Sequence, residues 1–497
     1  MAVYYFRNTG NSDYGLSTNW SLSDGGPADG AVPTASDDAI FTLNSGNVSV
    51  AATNKVCAKL ITNGYTGTIN ISTVLTTAGD VTLYSATTIN GTGTLSFSGT
   101  IIATRNGATI NVSNTRIISG TITLADTWNV VNFVFQGNGA KLNSNTLNIS
   151  GNLSLIQNAG IGTTNIVING TGNQTWSGYF SLRNNLTINK SSGNFIVSSN
   201  VWFQHATLTH LSGTVVTTSS SILSQATTSW NCSGITWNNF NLQGGTQTLT
   251  SNINVGGGFS SSNAVVYNGA DLILSGNMVI NQRMDGTSSI RYKGTGTWSQ
   301  QGPIHLPLYI ETPGTLTLAG TVCAEKINYI SGTVITAGST IQTTGNIGSM
   351  VYSCSAITFN NVTTVFGTLT LNQPLNISGT YTVGASNTVI FAGAYGFSAG
   401  TFFCTTPGRI INFTSGITYN CNNLTLRGTD ASRIQFKSST SNAYTYFNLV
   451  TGGTCDVKYV NATDIDSSGG RLITDVKGTL TRTINWYKTN PDYFSFF

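Results

Sequence analysis

The chain has 497 residues, and only 8% of them are charged, against about 25% in an ordinary globular domain. Thr (77), Gly (56), Asn (54) and Ser (53) make up nearly half of the chain, and because these residues are weak helix formers they exclude a largely helical protein. A net charge of +4, 10% aromatic residues and apolar residues throughout exclude a disordered chain.

The beginning of the chain has no basic region followed by an apolar one, so we expect no secretory signal peptide. The seven cysteines are odd in number and widely separated, which does not suit a disulfide framework and favours folding in a reducing cytosol. Lys and Arg are spread too thinly to follow a phosphate backbone, and no apolar run reaches the roughly 20 residues of a membrane helix. We therefore predict neither nucleic-acid binding nor membrane insertion.

From about residue 40 onward, short runs of apolar and polar residues alternate, as in 146–150 and 367–371. A period of two predicts half-buried strands, and Gly, Asn and Ser at the ends of the runs predict turns. The best candidate for a helix is 52–61, which we expect to form a single cap turn. The chain is therefore predicted to consist of many short strands.

A repeat underlies these strands. Cys-Ser-Gly-Ile-Thr-Trp-Asn-Asn at 232–239 returns as Cys-Ser-Ala-Ile-Thr-Phe-Asn-Asn at 354–361. Five aromatic residues also follow each other at a nearly constant step of 61, which shortens to 60 at the last: Trp176, Trp237, Trp298, Phe359 and Tyr419. A fixed period of this kind predicts a solenoid or another repeat array.

Two repeat units fit about 60 residues: one four-stranded propeller blade, or about three solenoid coils of roughly 20 residues each. Blades carry regular Asn-Gly or Asp-Gly hairpin turns, which are few here, so coils are favoured. Stacked coils also account for the composition, because Thr, Val and Ile suit strand faces, Asn stacks in ladders, and like charges stacked about 4.8 Å apart repel.

The predicted fold class is all-β, an elongated single-domain parallel β-helix (β-solenoid). We expect an N-terminal cap and virion-attachment region at 1–50 and a closing segment with an aromatic tail at 455–497. Between them, 51–454 is predicted to form the β-helix, with modules of about 60 residues each.

Both ends of the chain resemble right-handed, pectin-lyase-like parallel β-helix proteins. The motifs at the start are Asn8-Thr9-Gly10, Asn19-Trp20-Ser21, Val32-Pro33-Thr34, Asp37-Asp38-Ala39-Ile40-Phe41, Val56-Cys57-Ala58-Lys59-Leu60 and Gly64-Tyr65-Thr66-Gly67-Thr68. The motifs at the end are Val457-Lys458-Tyr459-Val460-Asn461-Ala462, Asp464-Ile465-Asp466-Ser467-Ser468-Gly469-Gly470 and Asn485-Trp486. The detailed match is confined to the two ends, while the middle of the chain is similar in character only.

Proteins of this kind occur among the virion proteins of tailed bacteriophages and among bacterial surface adhesins. The resemblance implies a virion structural protein such as a tail fibre, a tailspike or a capsid decoration that assembles in the host cytoplasm as a homotrimer. It also implies other virion proteins and a host-surface glycan as partners. Because an adhesin requires export and no signal peptide is expected, the virion protein is favoured; a tailspike depolymerase and an adhesin remain alternatives.

Carboxylates decide whether such a protein cleaves polysaccharide, because glycoside hydrolysis uses two of them on either side of the scissile bond. No acidic residue occurs between Asp126 and Asp271. Asp271, Glu311 and Glu325 are the candidates for approach across coils, but solvated and scattered carboxylates are the simpler interpretation. We therefore expect no enzymatic activity and no cofactor.

Asp464 and Asp466 would share one face of an extended strand and could hold calcium, although turn residues in a closing loop are the simpler interpretation. The five repeated aromatic residues are predicted to pack in the core, with an exposed sugar-stacking stripe as the alternative. The tail carries Trp486, Tyr493, Phe494, Phe496 and Phe497, which we expect to cap the last coil or to dock onto a partner.

Overall fold

A computed structural model describes residues 1–28, 31–157, 162–178, 181–218, 220–343, 349–365, 367–384 and 387–490. It is 60% strand and forms a parallel β-solenoid of about 21 turns, which confirms the predicted all-β, β-solenoid fold. The described residues include no α-helix and one 3-10 helix, Ser17–Asn19. No helix among them is long and apolar enough to cross a membrane. The chain comprises two compact units, Met1–Ile253 and Asn254–Phe497.

The strands of the first unit are β1 (Val3–Phe6), β2 (Ser12–Asp13), β3 (Trp20–Ser21), β4 (Asp38–Thr42), β5 (Val48–Val50), β6 (Lys55–Cys57), β7 (Leu60–Asn63), β8 (Thr68–Ile71), β9 (Val74–Thr77), β10 (Val81–Thr82), β11 (Thr88–Ser98), β12 (Ile101–Thr104), β13 (Thr109–Ser119), β14 (Thr121–Leu124), β15 (Trp128–Val130), β16 (Asn132–Phe135), β17 (Lys141–Asn143), β18 (Thr146–Ile149), β19 (Leu153–Leu155), β20 (Asn165–Ile168), β21 (Gln174–Ser177), β22 (Ser181–Leu182), β23 (Asn185–Val197), β24 (Val201–Phe203), β25 (Thr207–Val216), β26 (Ser221–Ser224), β27 (Thr228–Asn231), β28 (Thr236–Trp237), β29 (Asn239–Leu242) and β30 (Gly245–Leu249).

Those of the second unit are β32 (Phe259–Ser261), β33 (Val265–Gly269), β34 (Leu272–Leu274), β35 (Met278–Ile280), β36 (Met284–Gly286), β37 (Ile290–Tyr292), β38 (Gly296–Gln300), β39 (Ile304–Ala319), β40 (Thr321–Val322), β41 (Ala324–Ile335), β42 (Thr340–Thr343), β43 (Ser349–Ser353), β44 (Thr358–Phe359), β45 (Asn361–Thr364), β46 (Gly367–Leu371), β47 (Leu375–Val383), β48 (Thr388–Gly393), β49 (Phe397–Cys404), β50 (Ile410–Phe413), β51 (Thr418–Arg427), β52 (Ile434–Ser438), β53 (Thr445–Leu449), β54 (Cys455–Lys458), β55 (Val460–Asp466), β56 (Ile473–Val476), β57 (Thr479–Ile484) and β58 (Trp486–Thr489), while β31 (Ile253–Val255) contains the boundary.

Each coil places its strands against those of the coil before and the coil after. In the first unit, β8 and β9 pair in parallel with the two halves of β11, and β10 pairs with β12. The segments of one coil therefore belong to three different stacks of strands. Between the halves of β11, Gly91 adopts a φ of 118° and would place a Cβ 2.2 Å from the Ile71 carbonyl oxygen, so this corner requires glycine.

The core is built by the alternation that the sequence shows. Val48, Ile69, Ile89 and Ile110 lie in register on successive coils and are all buried. At the start of the chain, Trp20 packs on Phe6 and Tyr14, with ring centroids 5.2 and 4.8 Å apart.

The coil interpretation of the aromatic repeat is also confirmed. In the second unit Met278 pairs with Trp298, and Trp298 pairs with Leu318, so the chain returns to the same place after a step of 20 in the numbering. Three such coils fill one repeat.

The predicted cap turn at 52–61 is wrong. This stretch contains β6 and the beginning of β7, because Lys55 pairs with Leu75 and Leu60 pairs with Val81 of the next coil. Cys57 and Leu60 are fully buried in these strands. Pairing with the adjacent coil overrides the weak local helical pattern.

Candidate functional site

The four acidic residues between 127 and 429 fall within three successive coils of the second unit. They form two charge rows. Asp271, Arg291 and Glu311 lie 20 apart in the numbering, and so do Asp285, His305 and Glu325. The second row follows the strand register, whereas the strands pair Arg291 with Ile273 and Tyr309, so the first row runs diagonally across neighbouring coils. Each row therefore crosses three coils. Its middle residue is basic or titratable, and a carboxylate lies on either side of it.

Arg291 joins the two carboxylates of the first row. Its Nε lies 2.5 Å from Oδ2 of Asp271, and its Nη1 lies 3.0 Å from Oε1 of Glu311. Lys293 Nζ is 3.7 Å from the same Glu311 oxygen. The guanidinium carbon also lies 4.8 Å from the ring centroid of Tyr309, the residue opposite Arg291 in the next coil.

These contacts keep Asp271 and Arg291 charged. Burial alone would raise the pKa of Asp271, but hydrogen bonds from Ser289 and Arg291 outweigh it and hold that pKa below its ordinary value. The hydrogen bonds from Arg291 to Asp271 and Glu311 raise the pKa of Arg291 in turn. Asp271 is therefore an ionised carboxylate near neutral pH, which does not suit the general acid of a glycosidase.

The second row has a different centre. His305 Nδ1 is 2.9 Å from Oδ1 of Asp285, and the pairing of Ile304 with Ala324 places Glu325 in the next coil beside His305. Burial lowers the pKa of His305 and so does the charge of Arg283, while Asp285 and Glu325 raise it less. His305 is thus neutral at pH 7. Glu325 belongs to this row and Glu311 to the other.

The structure therefore assembles two separate rows of mixed charge. Residue types alone point to Asp271, Glu311 and Glu325 but miss the side chains around them, which are Arg291, Lys293, His305 and Tyr309. The constant step between the members of a row is the signal that could have found Arg291 and His305, since residues one coil apart become neighbours.

The two proposed calcium ligands do not share a face. Asp464 adopts a φ of 58° and is buried, while Asp466 is half-buried and accepts a hydrogen bond from the Ser468 amide. Asp464 is bound at both oxygens by Arg482, at 2.5 and 2.7 Å. The hydrogen bonds from Arg482 lower the pKa of Asp464 against the effect of burial. Across the described residues, no group of three or more His, Cys, Asp or Glu side chains could hold a metal ion.

The five repeated aromatic residues lie inside the solenoid, each at most 1% exposed. Trp176 packs on Phe195 and Phe203, and Tyr419 packs on Phe413 at 4.9 Å. None of the rings is on the surface, where a sugar-stacking stripe would need them.

Of the aromatic tail, Trp486 is 8% exposed, packs on Phe436 at 5.7 Å and donates from Nε1 to Ser467 Oγ at 2.8 Å. It belongs to the interior of the last strands. Tyr493, Phe494, Phe496 and Phe497 lie outside the described residues.

Comparison with known proteins identifies no relative of this chain. No protein-family model, no curated protein and no solved structure matches the chain.

Proposed function

We propose that the chain is a structural protein of a bacteriophage virion that forms a rigid β-helical fibre, spike or capsid decoration. Its role would be to attach the particle to the surface of the host. The motifs at the two ends of the chain suggest the virion setting, and the solenoid fold supports the structural role.

One observation carries the structural role: stacked coils repeat through each unit, and the candidate carboxylates Asp271 and Glu311 are held in ion pairs with Arg291. Val48, Ile69, Ile89 and Ile110 represent the interior of such a stack. In a stack such as β8, β11 and β13, each strand bonds to the strand of the next coil, so bending a unit would break many hydrogen bonds at once. This construction favours a mechanical function over one that needs a moving site.

Quantitative mass spectrometry of purified virions tests this function. We expect peptides of the chain at a constant, whole-number ratio to the major capsid protein across the particle peak of a density gradient. A mock preparation from uninfected host cells is the control. Absence from the particles, or a ratio far below one copy per vertex or tail, would overturn the proposal.

The depolymerase alternative makes a separate prediction about Glu311. The Arg291 contact suggests that Glu311 serves an ion pair, so we expect no cleavage of host polysaccharide by the wild-type chain or by Glu311→Gln, measured as released reducing ends. Release by the wild type that falls at least about a hundredfold in Glu311→Gln would instead establish an acid–base role.

A further inference from the structure

One face of the first unit carries almost only threonine and asparagine. On ten successive coils, two outward side chains per strand flank a buried residue. These twenty positions, which we call the Thr/Asn face, comprise ten Thr, eight Asn, one Ser and one Val. They are Thr68 and Asn70, Thr88 and Asn90, Thr109 and Asn111, Thr127 and Asn129, Thr146 and Asn148, Asn165 and Val167, Asn185 and Thr187, Thr207 and Thr209, Ser229 and Asn231, and Thr248 and Thr250.

The strands hold these side chains in register. Thr88 pairs with Thr68 and with Thr109, while Asn90 pairs with Asn70 and with Asn111. The register continues along later coils, where Asn129 pairs with Asn148 and Thr209 with Asn231. The side chains therefore repeat about every 4.8 Å along the stack and about every 6.7 Å along a strand, which is twice the rise per residue.

The polar groups of this face are directed to solvent. None of the twenty side chains is buried. Two hydrogen bonds between side chains join members of the face: Asn148 donates to Asn129 at 2.7 Å, and Thr187 donates to Asn165 at 3.1 Å. Within the described chain, the side chains of Asn90 and Asn111 make no hydrogen bond to protein.

Two depressions open on the same face. One of about 330 Å³ is lined by Asn70 and Asn90 together with residues of the preceding coils. The other, of about 310 Å³, is lined by Asn111, Asn129 and Asn148 of the Thr/Asn face. Side chains of three successive coils therefore surround one depression.

The composition of the face excludes several kinds of ligand. Without a charged residue it cannot recognise phosphate, sulfate or a carboxylate by ion pairing. Without Tyr, Trp, Met or Arg it lacks the residues that enrich the centres of protein interfaces, and it offers no ring on which a sugar could stack. An adjacent face of the unit differs, since it exposes Ile102, Tyr84 and Lys141.

After these exclusions, the remaining kind of ligand is an uncharged partner that forms hydrogen bonds and repeats in two dimensions. Rows of oxygen atoms on the surface of ice have a spacing close to that of neighbouring strands. Threonine presents a hydroxyl and a methyl group on a side chain that is stiff at χ1, so it holds water in fixed positions at little entropic cost. We infer that the Thr/Asn face binds the surface of ice through ordered water.

Ice-affinity partitioning and thermal hysteresis of the full chain test this inference. Thr109→Tyr places a bulky ring in the middle of the face, and we expect it to lower both the ice-bound fraction and the hysteresis severalfold. Thr121→Tyr is the matched control, because Thr121 points outward from β14 on the adjacent face. Circular dichroism melts verify that both variants fold.

A wild-type chain that ice excludes would overturn the inference, as would equal losses in the two variants. Retention on microcrystalline cellulose or chitin without retention by ice would also overturn it and would assign the face to a crystalline polysaccharide. The inference goes beyond the proposed function and does not rest on it, since ice binding is measured on the purified chain without virions.

Discussion

Asp475 shows how strongly the solenoid interior perturbs a single residue. Its side chain is fully buried in β56, between Val457 of one coil and Lys488 of the next. Burial raises the pKa of Asp475 to about 7, while the nearby Val460 amide and the charges of Arg433 and Lys488 counteract it only in part. The carboxyl group is therefore half protonated near neutral pH.

This shift predicts a pH-dependent stability. Because the folded-state pKa lies above the ordinary value of 3.8, folding favours the protonated acid. Its contribution is fully present below that ordinary value and is lost as the pH rises through about 7. We expect Asp475→Asn, relative to the wild type, to gain on the order of 4 kcal/mol in unfolding free energy between pH 4 and pH 8.

Urea unfolding at several pH values measures this gain. Asp430→Asn is the control for replacing a carboxylate, because the Asp430 side chain is 78% exposed. A difference between Asp475→Asn and the wild type that stays constant from pH 4 to pH 8 would contradict the argument.

Residue types alone identified the scarce carboxylates, but they did not identify their partners. Asp271 and Glu311 are two coils apart, and only the stacking of the coils places Arg291 between them. Asp464 and Asp466 illustrate the opposite error. A regular strand would put both on one face, but the left-handed backbone at Asp464 turns its carboxylate toward Arg482.

Among the elements, the strands that carry the repeated aromatic residues contribute large side chains to the core. Trp237 in β28 is 1% exposed, whereas Trp202 in β24 of the same unit is half-buried on an outward position. We expect Trp237→Ala to destabilise the protein by about 3–5 kcal/mol, because it leaves a cavity that the coils cannot close. Trp202→Ala should cost clearly less, and equal shifts in the thermal midpoint would disagree with this packing.

Stacked strands also explain why charges are rare. Asn70, Asn90 and Asn111 lie one coil apart, so replacing all three with Asp would place like charges at about 4.8 Å. We expect the thermal midpoint of this triple variant to fall at pH 7. It should recover at pH 3, where the carboxylates are protonated, or in about 1 M salt, which screens surface charges beyond about 3 Å.

The matched control spreads the same substitutions over every second coil, at Asn70, Asn111 and Asn148. It carries the same net charge, but its carboxylates are about twice as far apart. If both triple variants lost the same stability, charge repulsion between adjacent coils would not be the reason for the 8% charged residues.

For the whole molecule, we predict a homotrimer, as the resemblance to bacteriophage proteins implies. The second unit offers apolar surface for such a contact: Tyr446, Ile484 and Tyr487 are 40%, 40% and 60% exposed. Tyr446 and Ile484 both pair with Asp466, on opposite sides of it. Multi-angle light scattering should give three times the 52.3 kDa of one chain.

Ile484→Lys should weaken that trimer, and Leu211→Lys, a change at an exposed residue of the first unit, is its control. A monomer at micromolar concentration would contradict the prediction of a trimer.

The sequence by itself determined the β-solenoid. Apolar and polar residues alternate within each strand, and the segment at 232–239 that returns at 354–361 indicates a periodic array of such strands. Both signals are local or periodic, so they can be recognised in the sequence without knowing which residues are in contact. They also indicated an aromatic core and the reason for the low charge.

Only the tertiary structure decided which side chains meet. Coils differ in length: Phe359 pairs with Ile377, a step of 18 in the numbering, whereas Ala399 pairs with Cys421, a step of 22. The neighbours of a residue therefore depend on every corner in between, and small errors in corner length accumulate. The Arg291 ion pairs, the strands at 52–61 and the Thr/Asn face all follow from that register, because contacts between coils outweigh local preference.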